Sequence, residues 1–149
     1  MRSTGAIVLV VLLLVLGFAG CAGCGTYNDL VAQEEQVERA WADVETQYQR
    51  RSDLVPNLVN TVRGAANFEQ QTLQAVVDAR ARATSITVSA DDLDDPERIR
   101  QFQEAQSELS RSLGRLLAVS ENYPQLQATE AFRDLQVQLE GTENRIAVA

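Results

Sequence analysis

Histidine and lysine do not occur in this chain of 149 residues, and cysteine occurs only twice. The lack of histidine excludes Ser-His-Asp and Cys-His catalysis and histidine-bearing di-iron sites, and with so few cysteines it excludes zinc fingers as well. The formal net charge of −8 is opposite in sign to the surface that nucleic-acid binding requires. Carboxylates and hydroxyls remain, so the one catalytic alternative is a carboxylate-based, metal-dependent hydrolase.

Apolar residues make up 45% of the chain but are concentrated near its amino terminus. Residues 6–19 read AIVLVVLLLVLGFA, a run that would measure about 21 Å as a helix. Because the hydrocarbon core of a bilayer is about 30 Å thick, this length is typical of the h-region of a signal peptide. The small residues that follow resemble the lipobox of bacterial lipoproteins, with Phe18 where leucine is usual, so Cys21 is the predicted lipidation site.

A second interpretation of the same segment is an uncleaved transmembrane helix. Residues 5–25 are uncharged and would measure about 31 Å as a helix, which just spans a bilayer. Both interpretations make residues 1–25 an N-terminal hydrophobic anchor, and both place Arg2 on the cytoplasmic side. We therefore expect residues 26–149 to lie outside the cytoplasm.

Beyond the anchor, apolar residues recur every three or four positions, which predicts amphipathic helices almost throughout. We place four helices at about residues 27–52, 54–84, 95–121 and 129–149. The apolar seam of the first is interrupted only by Glu34 and consists of Tyr27, Leu30, Val37, Trp41, Val44 and Tyr48. Long helices with short connections predict an all-α fold, an antiparallel up-and-down four-helix bundle behind the anchor.

The boundary between the first two predicted helices depends on a proline and an aspartate. Pro56 is disfavoured in a helix interior and accepted in a first turn, and Asp53 is a good N-cap residue. These signals predict a break or a sharp kink here. Asp94 or Asp95, directly before Pro96, is the matching start signal of the third helix.

The corner at this predicted break is the candidate partner-binding site. Arg50 and Arg51 would end one helix, and Asp53, Pro56 and Asn57 would form a rigid corner at the start of the next. Such a polar patch could bind a partner protein or a lipid headgroup through the paired hydrogen bonds of arginine. The same residue types also cap helices and complement helix dipoles in most proteins, so both interpretations stay open.

Two other carboxylate groups carry weaker signals. An acidic loop contains Asp91, Asp92, Asp94 and Asp95. The loop lacks the glycine and the ligand spacing of a calcium site, so we expect it to be solvated and to cap helices. Glu140 and Glu143 share a helix face, but nothing in the sequence indicates a pocket that would shift their pKa values. We expect them to pair with Arg145 or with a neighbouring helix, and we predict no metal or cofactor site.

Several strings of the sequence resemble the LemA family of bacterial membrane-associated proteins. In chain order these strings are YNDLV, AW, QYQRRSDLVPNLV, ARA, YP, FRDLQ and LEGTENRI. Together they span residues 26–146, and RRSDLVPNLV and QLEGTENRI are long enough to be specific. Asn67 departs from the family pattern, which commonly has histidine there. The family pattern also extends beyond this carboxyl terminus, so we expect the chain to be truncated relative to a longer original.

The resemblance implies a four-helix bundle behind a short hydrophobic anchor, and it implies no enzymatic activity, because no catalytic residues are assigned to the family. Its members often look as though they work beside other envelope proteins. We therefore expect a non-catalytic protein of the bacterial cell membrane that scaffolds or regulates another envelope or membrane protein. We expect no cofactor, no nucleic-acid partner and no small-molecule substrate.

Overall fold

The computed structural model describes the backbone of residues 2–65 and 67–148, and the side chains of these residues except 2–4, 6–10 and 14–26. All regular structure in these residues is helical. The helices are α1 (Arg2–Arg63), α2 (Gln70–Ser85), α3 (Pro96–Ser120), α4 (Pro124–Gln127) and α5 (Glu130–Val148), with a 3₁₀ turn at Ala90–Asp92. The predicted all-α fold class is confirmed.

The chain divides into two compact units, Met1–Ala40 and Trp41–Ala149. The first unit consists of the first part of α1, and an ion pair of 2.6 Å joins Arg39 to Glu35 on its surface. No helix formed by the described residues is both long enough and apolar enough to cross a membrane. The predicted lipidation site, Cys21, lies outside the residues whose side chains are described.

The second unit has a hydrophobic core to which five helices contribute. Its members are Val55, Leu58, Val59 and Val62 of α1; Phe68; Leu73, Val76, Ala79 and Ala83 of α2; Leu109, Leu113 and Leu116 of α3; Leu126 of α4; and Phe132, Leu135 and Leu139 of α5. Within each long helix these residues recur three or four positions apart, except for the adjacent Leu58 and Val59, so one stripe faces the core. The spacing of three or four that predicted amphipathic helices is therefore confirmed as the core face of α2, α3, α5 and the second half of α1.

The predicted break near Asp53 is wrong, because α1 continues through Pro56 and ends at Arg63. Proline lacks the amide hydrogen that would bind the carbonyl four residues earlier, here that of Ser52. The Nε of Arg80 on α2 donates a hydrogen bond of 2.9 Å to this carbonyl. A side chain from another helix thus replaces the missing backbone bond, and the proline is tolerated in the helix interior.

The real connection between the first two long helices includes residues 64–65 and 67–69, well after the predicted position. Asn67 has a positive φ of 64°, a left-handed conformation that asparagine tolerates better than most residues. The hydroxyl of Tyr123 donates to the Asn67 carbonyl at 2.9 Å, and Phe68 packs against the Tyr123 ring with centroids 4.9 Å apart. Contacts from the segment after α3 therefore hold this turn in place.

The connection between α2 and α3 agrees with the sequence prediction. The side chain of Asp95 accepts hydrogen bonds from the amides of Glu97 and Arg98, at 3.0 and 3.3 Å, and so caps α3. Ser89 and Asp92 form a capping box around the 3₁₀ turn. The predicted capping role of the acidic loop is thus confirmed for Asp92 and Asp95.

Candidate functional site

The centre of the second unit contains a buried arginine. The side chain of Arg51 is only 1% exposed, and it projects from α1 towards α3 and α5. Its Nη1 donates to Ser110 Oγ at 2.6 Å and to Glu143 Oε1. Its Nη2 donates to Gln106 at the side-chain oxygen, 2.6 Å away, and at the carbonyl oxygen, 3.3 Å away. One guanidinium therefore connects three helices.

An aromatic pair covers one side of this arginine. The Arg51 guanidinium carbon lies 5.2 Å from the centroid of the Tyr48 ring, within range of a cation–π interaction. The Tyr48 ring in turn meets Phe102 edge-on, with centroids 5.0 Å apart. Burial raises the pKa of the Tyr48 phenol above its ordinary value of 10.0, and the Glu143 carboxylate raises it further against the opposing effect of Arg51. Tyr48 is therefore a neutral phenol over the physiological range.

The buried position corrects the prediction that Arg51 lies on an exposed helix end. Because α1 continues to Arg63, Arg51 is an interior residue of that helix and shares the inward face with Val55 and Leu58. The expectation that Glu143 pairs with a neighbouring helix is confirmed by its ion pair with Arg51. A planar guanidinium suits this position because it can donate to several oxygens at once.

Three of the sequence strings meet at this centre. RRSDLVPNLV supplies Arg51 and the Ser52 carbonyl, ARA supplies Arg80, and LEGTENRI supplies Glu143. Removal of Glu143 would leave the buried charge of Arg51 without its counter-charge, so the first and the last of these strings depend on each other. The strings are thus explained first by contacts that join α1, α2 and α5.

The other residues of the predicted site lie on the opposite, exposed side of α1. Arg50, Asp53, Pro56 and Asn57 are all exposed. Three of them, Arg50, Asp53 and Asn57, line an open groove of about 570 Å³, together with Glu45, Thr46, Gln49 and Leu54. The Gln49 amide donates to Asp53 at 2.9 Å. The structure therefore places four of the five predicted residues on the surface, and their role in partner binding stays a prediction.

A larger groove that the sequence did not indicate lies where α1 ends. It measures about 770 Å³ and is lined mostly by small and apolar side chains. Its lining includes Thr61, Gly64, Ala65, Tyr123 and Leu126. No local pattern could have revealed it, because it forms between the end of one helix and a segment that follows about sixty residues later.

The acidic loop is held by its own neighbours. The Asp92 carboxylate accepts from the amide and hydroxyl of Ser89, at 2.9 and 2.7 Å, and from Arg98 at 2.8 Å. The hydrogen bonds from Ser89, with help from Arg98, hold the pKa of this carboxyl below its usual value of 3.8. Within the described residues there is no group of three or more acidic or cysteine side chains placed to hold a metal ion.

Comparison with known proteins identifies the family. The family model described as "LemA family" matches residues 40–149, which is most of the chain. The chain therefore belongs to the LemA family, as its sequence strings predicted. No curated protein matches it.

Proposed function

We propose that this LemA family member is a non-catalytic, membrane-anchored protein of the bacterial envelope that scaffolds or regulates another membrane protein. Residues 1–25 would hold it in the membrane, through a lipid on Cys21 or as a single spanning helix. Residues 26–149 would lie on the extracytoplasmic side. The second half of α1 with α2, α3 and α5 would form an antiparallel four-helix arrangement there.

One observation carries the proposal: the buried guanidinium of Arg51 donates from both of its terminal nitrogens to other helices and so joins them. Arg51 is the only buried side chain among the described residues that carries an ionisable group, and its hydrogen-bond partners come from α3 and α5. A group held in this way is not free to bind a substrate or to transfer a proton. The network supports a rigid bundle, and a rigid bundle suits a protein that presents a surface to a partner.

The surface that we assign to the partner is the groove with Arg50, Asp53 and Asn57. It offers a cation, a carboxylate and an amide within about two turns of one helix. The adjacent Arg51 network immobilises the backbone beneath it, so the groove loses little conformational entropy when a partner binds. Exposed arginine can contribute strongly to an interface through its planar, multiple hydrogen bonds.

Site-specific photocrosslinking in intact cells tests this assignment. A photoreactive amino acid at Asn57 should form a covalent adduct with one particular membrane protein, identified by mass spectrometry. The same amino acid at Val137, which is exposed on α5, is the matched control and should not form that adduct. Arg50→Glu should greatly reduce the Asn57 adduct while leaving the protein folded. Equal adducts from both positions would overturn the assignment of the groove.

Cell fractionation of cysteine variants tests the anchor. If Cys21 carries diacylglycerol, Cys21→Ser should leave an unprocessed precursor, whereas Cys24→Ser should be processed normally. If the segment is a spanning helix, both variants should remain in the membrane at unchanged mass. A wild-type protein recovered wholly in the soluble fraction would contradict membrane anchoring by either route.

A further inference from the structure

The first unit presents an apolar face that no described residue covers. Tyr27 is 68% exposed, Leu30 is 59% exposed and Val37 is 57% exposed. With Glu34, which is also exposed, they form what we call the 27–37 seam. Exposed apolar residues are ordinary when scattered singly, but these recur on one helix face.

The spacing of the 27–37 seam indicates what shape of partner fits it. Successive members are three, four and three residues apart, as are the a and d positions of a coiled coil. The same alternation continues through Trp41, Val44 and Tyr48, which lie in the second unit and are partly buried there. Side chains with this spacing insert between the side chains of a facing helix, so a helix is a better partner for them than a flat sheet or an extended peptide.

The charges around the 27–37 seam indicate the chemistry of that helix. Glu34 lies within the seam and Glu38 lies directly beside it, whereas Asp29 and Glu35 lie further round the helix and Arg39 is paired with Glu35 at 2.6 Å. No other basic residue occurs between Arg2 and Arg50. The face therefore contains two carboxylates and no basic residue, and a partner with basic side chains would gain electrostatic attraction as well as apolar contact.

The same charges argue against a second copy of this chain as the partner. A parallel copy would bring two Glu34 carboxylates into one core layer, where they would repel each other. An anionic lipid surface is disfavoured by the same repulsion.

We propose that the 27–37 seam binds a basic amphipathic helix of another protein, with an arginine or lysine opposite Glu34. This inference rests on the proposed function, because it gives the chemistry of one partner of the scaffold. The contact area is small, so binding by this face alone should be weak. Two proteins held in the same membrane would raise each other's effective concentration and so strengthen the contact.

Calorimetry with defined peptides tests the proposal. The probe is a synthetic three-heptad helix with isoleucine at a, leucine at d, lysine at e and g, and arginine at its central a position. The control peptide has glutamate in place of every basic residue. The full chain, kept in a zwitterionic detergent, should bind the basic peptide at least about tenfold more tightly than the acidic one.

Variants of the chain locate the binding face. Leu30→Asp with Val37→Asp should weaken binding of the basic peptide about 10- to 100-fold, since two apolar contacts are lost. Val137→Asp, at an equally exposed valine of α5, should leave binding unchanged. Glu34→Arg should reverse the preference between the two peptides. Far-UV circular dichroism should show equal helicity in all variants, because the substituted side chains are exposed.

Several outcomes would overturn the proposal. These are no binding of either peptide at about millimolar concentration, equal binding of both, binding that Val137→Asp weakens as much as the seam variants do, and capture of anionic vesicles through the seam. Sedimentation that shows a dimer disrupted by Leu30→Asp would also overturn it, in favour of a second copy. None of these results depends on the anchor, so they leave the proposed membrane role to be judged by fractionation and crosslinking.

Discussion

Residues 27–40 and 41–63 belong to one helix and share one apolar periodicity, yet their side chains have opposite environments. In the first segment Tyr27, Leu30 and Val37 are exposed, whereas in the second Leu58 and Val62 are completely buried. The difference comes from what packs on the helix, since α2, α3 and α5 all contribute to the core around the second segment. An amphipathic pattern determines which face of a helix is apolar, and tertiary contacts determine whether that face is covered.

The buried segment also contains a charge, and the largest expected effect comes from removing it. Arg51→Glu should destabilise the protein by about 3–5 kcal/mol, because it replaces a buried, hydrogen-bonded cation with a carboxylate beside Glu143. The neighbouring Arg50→Glu should change the free energy of unfolding by less than about 0.5 kcal/mol, since Arg50 is exposed. Urea unfolding in the same detergent measures both. Equal effects would mean that the two arginines share one environment.

Two aromatic residues at equivalent seam positions provide the next comparison. The Trp41 indole donates a hydrogen bond of 3.0 Å to the Val88 carbonyl, and its ring centroid lies 5.6 Å from that of Phe102. Tyr27, in contrast, is exposed. Trp41→Ala should cost about 2–4 kcal/mol, somewhat less than for a fully buried tryptophan. Tyr27→Ala should stay within about 0.5 kcal/mol. Thermal unfolding checks both values, and a costly Tyr27→Ala would show that the first segment is covered within the protein.

A smaller effect should follow from loss of the bond that accommodates the proline. Arg80→Met leaves the Ser52 carbonyl without its donor and should cost about 1–3 kcal/mol. Arg82→Met, on the exposed side of the same helix, should cost less than about 1 kcal/mol, since its pair with Glu108 is a surface salt bridge.

Repeating Arg80→Met in a Pro56→Ala variant tests whether the Arg80 hydrogen bond compensates for the proline. Alanine restores an amide that can bind the Ser52 carbonyl, so Arg80→Met should then cost about 1 kcal/mol less. A double-mutant cycle measured by urea unfolding gives this coupling. Additive effects of the two substitutions would show that the arginine and the proline act independently.

The smallest expected effect is on stability at acid pH, and it comes from Asp92. This residue lies in the loop that also contains Val88, whose carbonyl accepts the hydrogen bond from Trp41. Because the folded pKa of Asp92 is lowered, the stability it confers is present above its ordinary value of 3.8 and is lost as pH falls through the lowered value. Asp92→Asn should therefore reduce the difference in urea midpoint between pH 6 and pH 3. Some difference should remain, since the pKa of Glu97 is lowered by its hydrogen bond from Arg100. An unchanged pH dependence would contradict the role given to Asp92.

The helix faces and one helix start were predictable because their signals are local. Core stripes such as Leu109, Leu113 and Leu116 follow directly from spacing, and Asp95 before Pro96 marks the start of α3. The division at Asp53 was not predictable, because the rule that proline breaks a helix holds only when nothing replaces the lost hydrogen bond. The donor, Arg80, is distant in sequence and no local window includes it.

The candidate site shows the same limit on a smaller scale. The sequence singled out Arg50, Arg51, Asp53, Pro56 and Asn57 together. The structure separates Arg51 from the others, because consecutive residues of a helix point about 100° apart and only Arg51 turns towards Gln106 and Glu143. Exposure of two adjacent arginines therefore cannot be inferred from their adjacency.

By itself, the sequence determined the all-helical class, the family and the apolar face of each helix, since these depend on residue type and on spacing within one turn or two. Only the tertiary structure decided that α1 continues through Pro56 and that the Arg51 side chain is buried. It also decided that the apolar face of α1 is exposed over the 27–37 seam and at least partly buried from Trp41 onwards. Each of these outcomes depends on a donor, a counter-charge or an apolar neighbour from another helix. Such partners are brought near only when the chain folds, and their free energies then outweigh the local preferences.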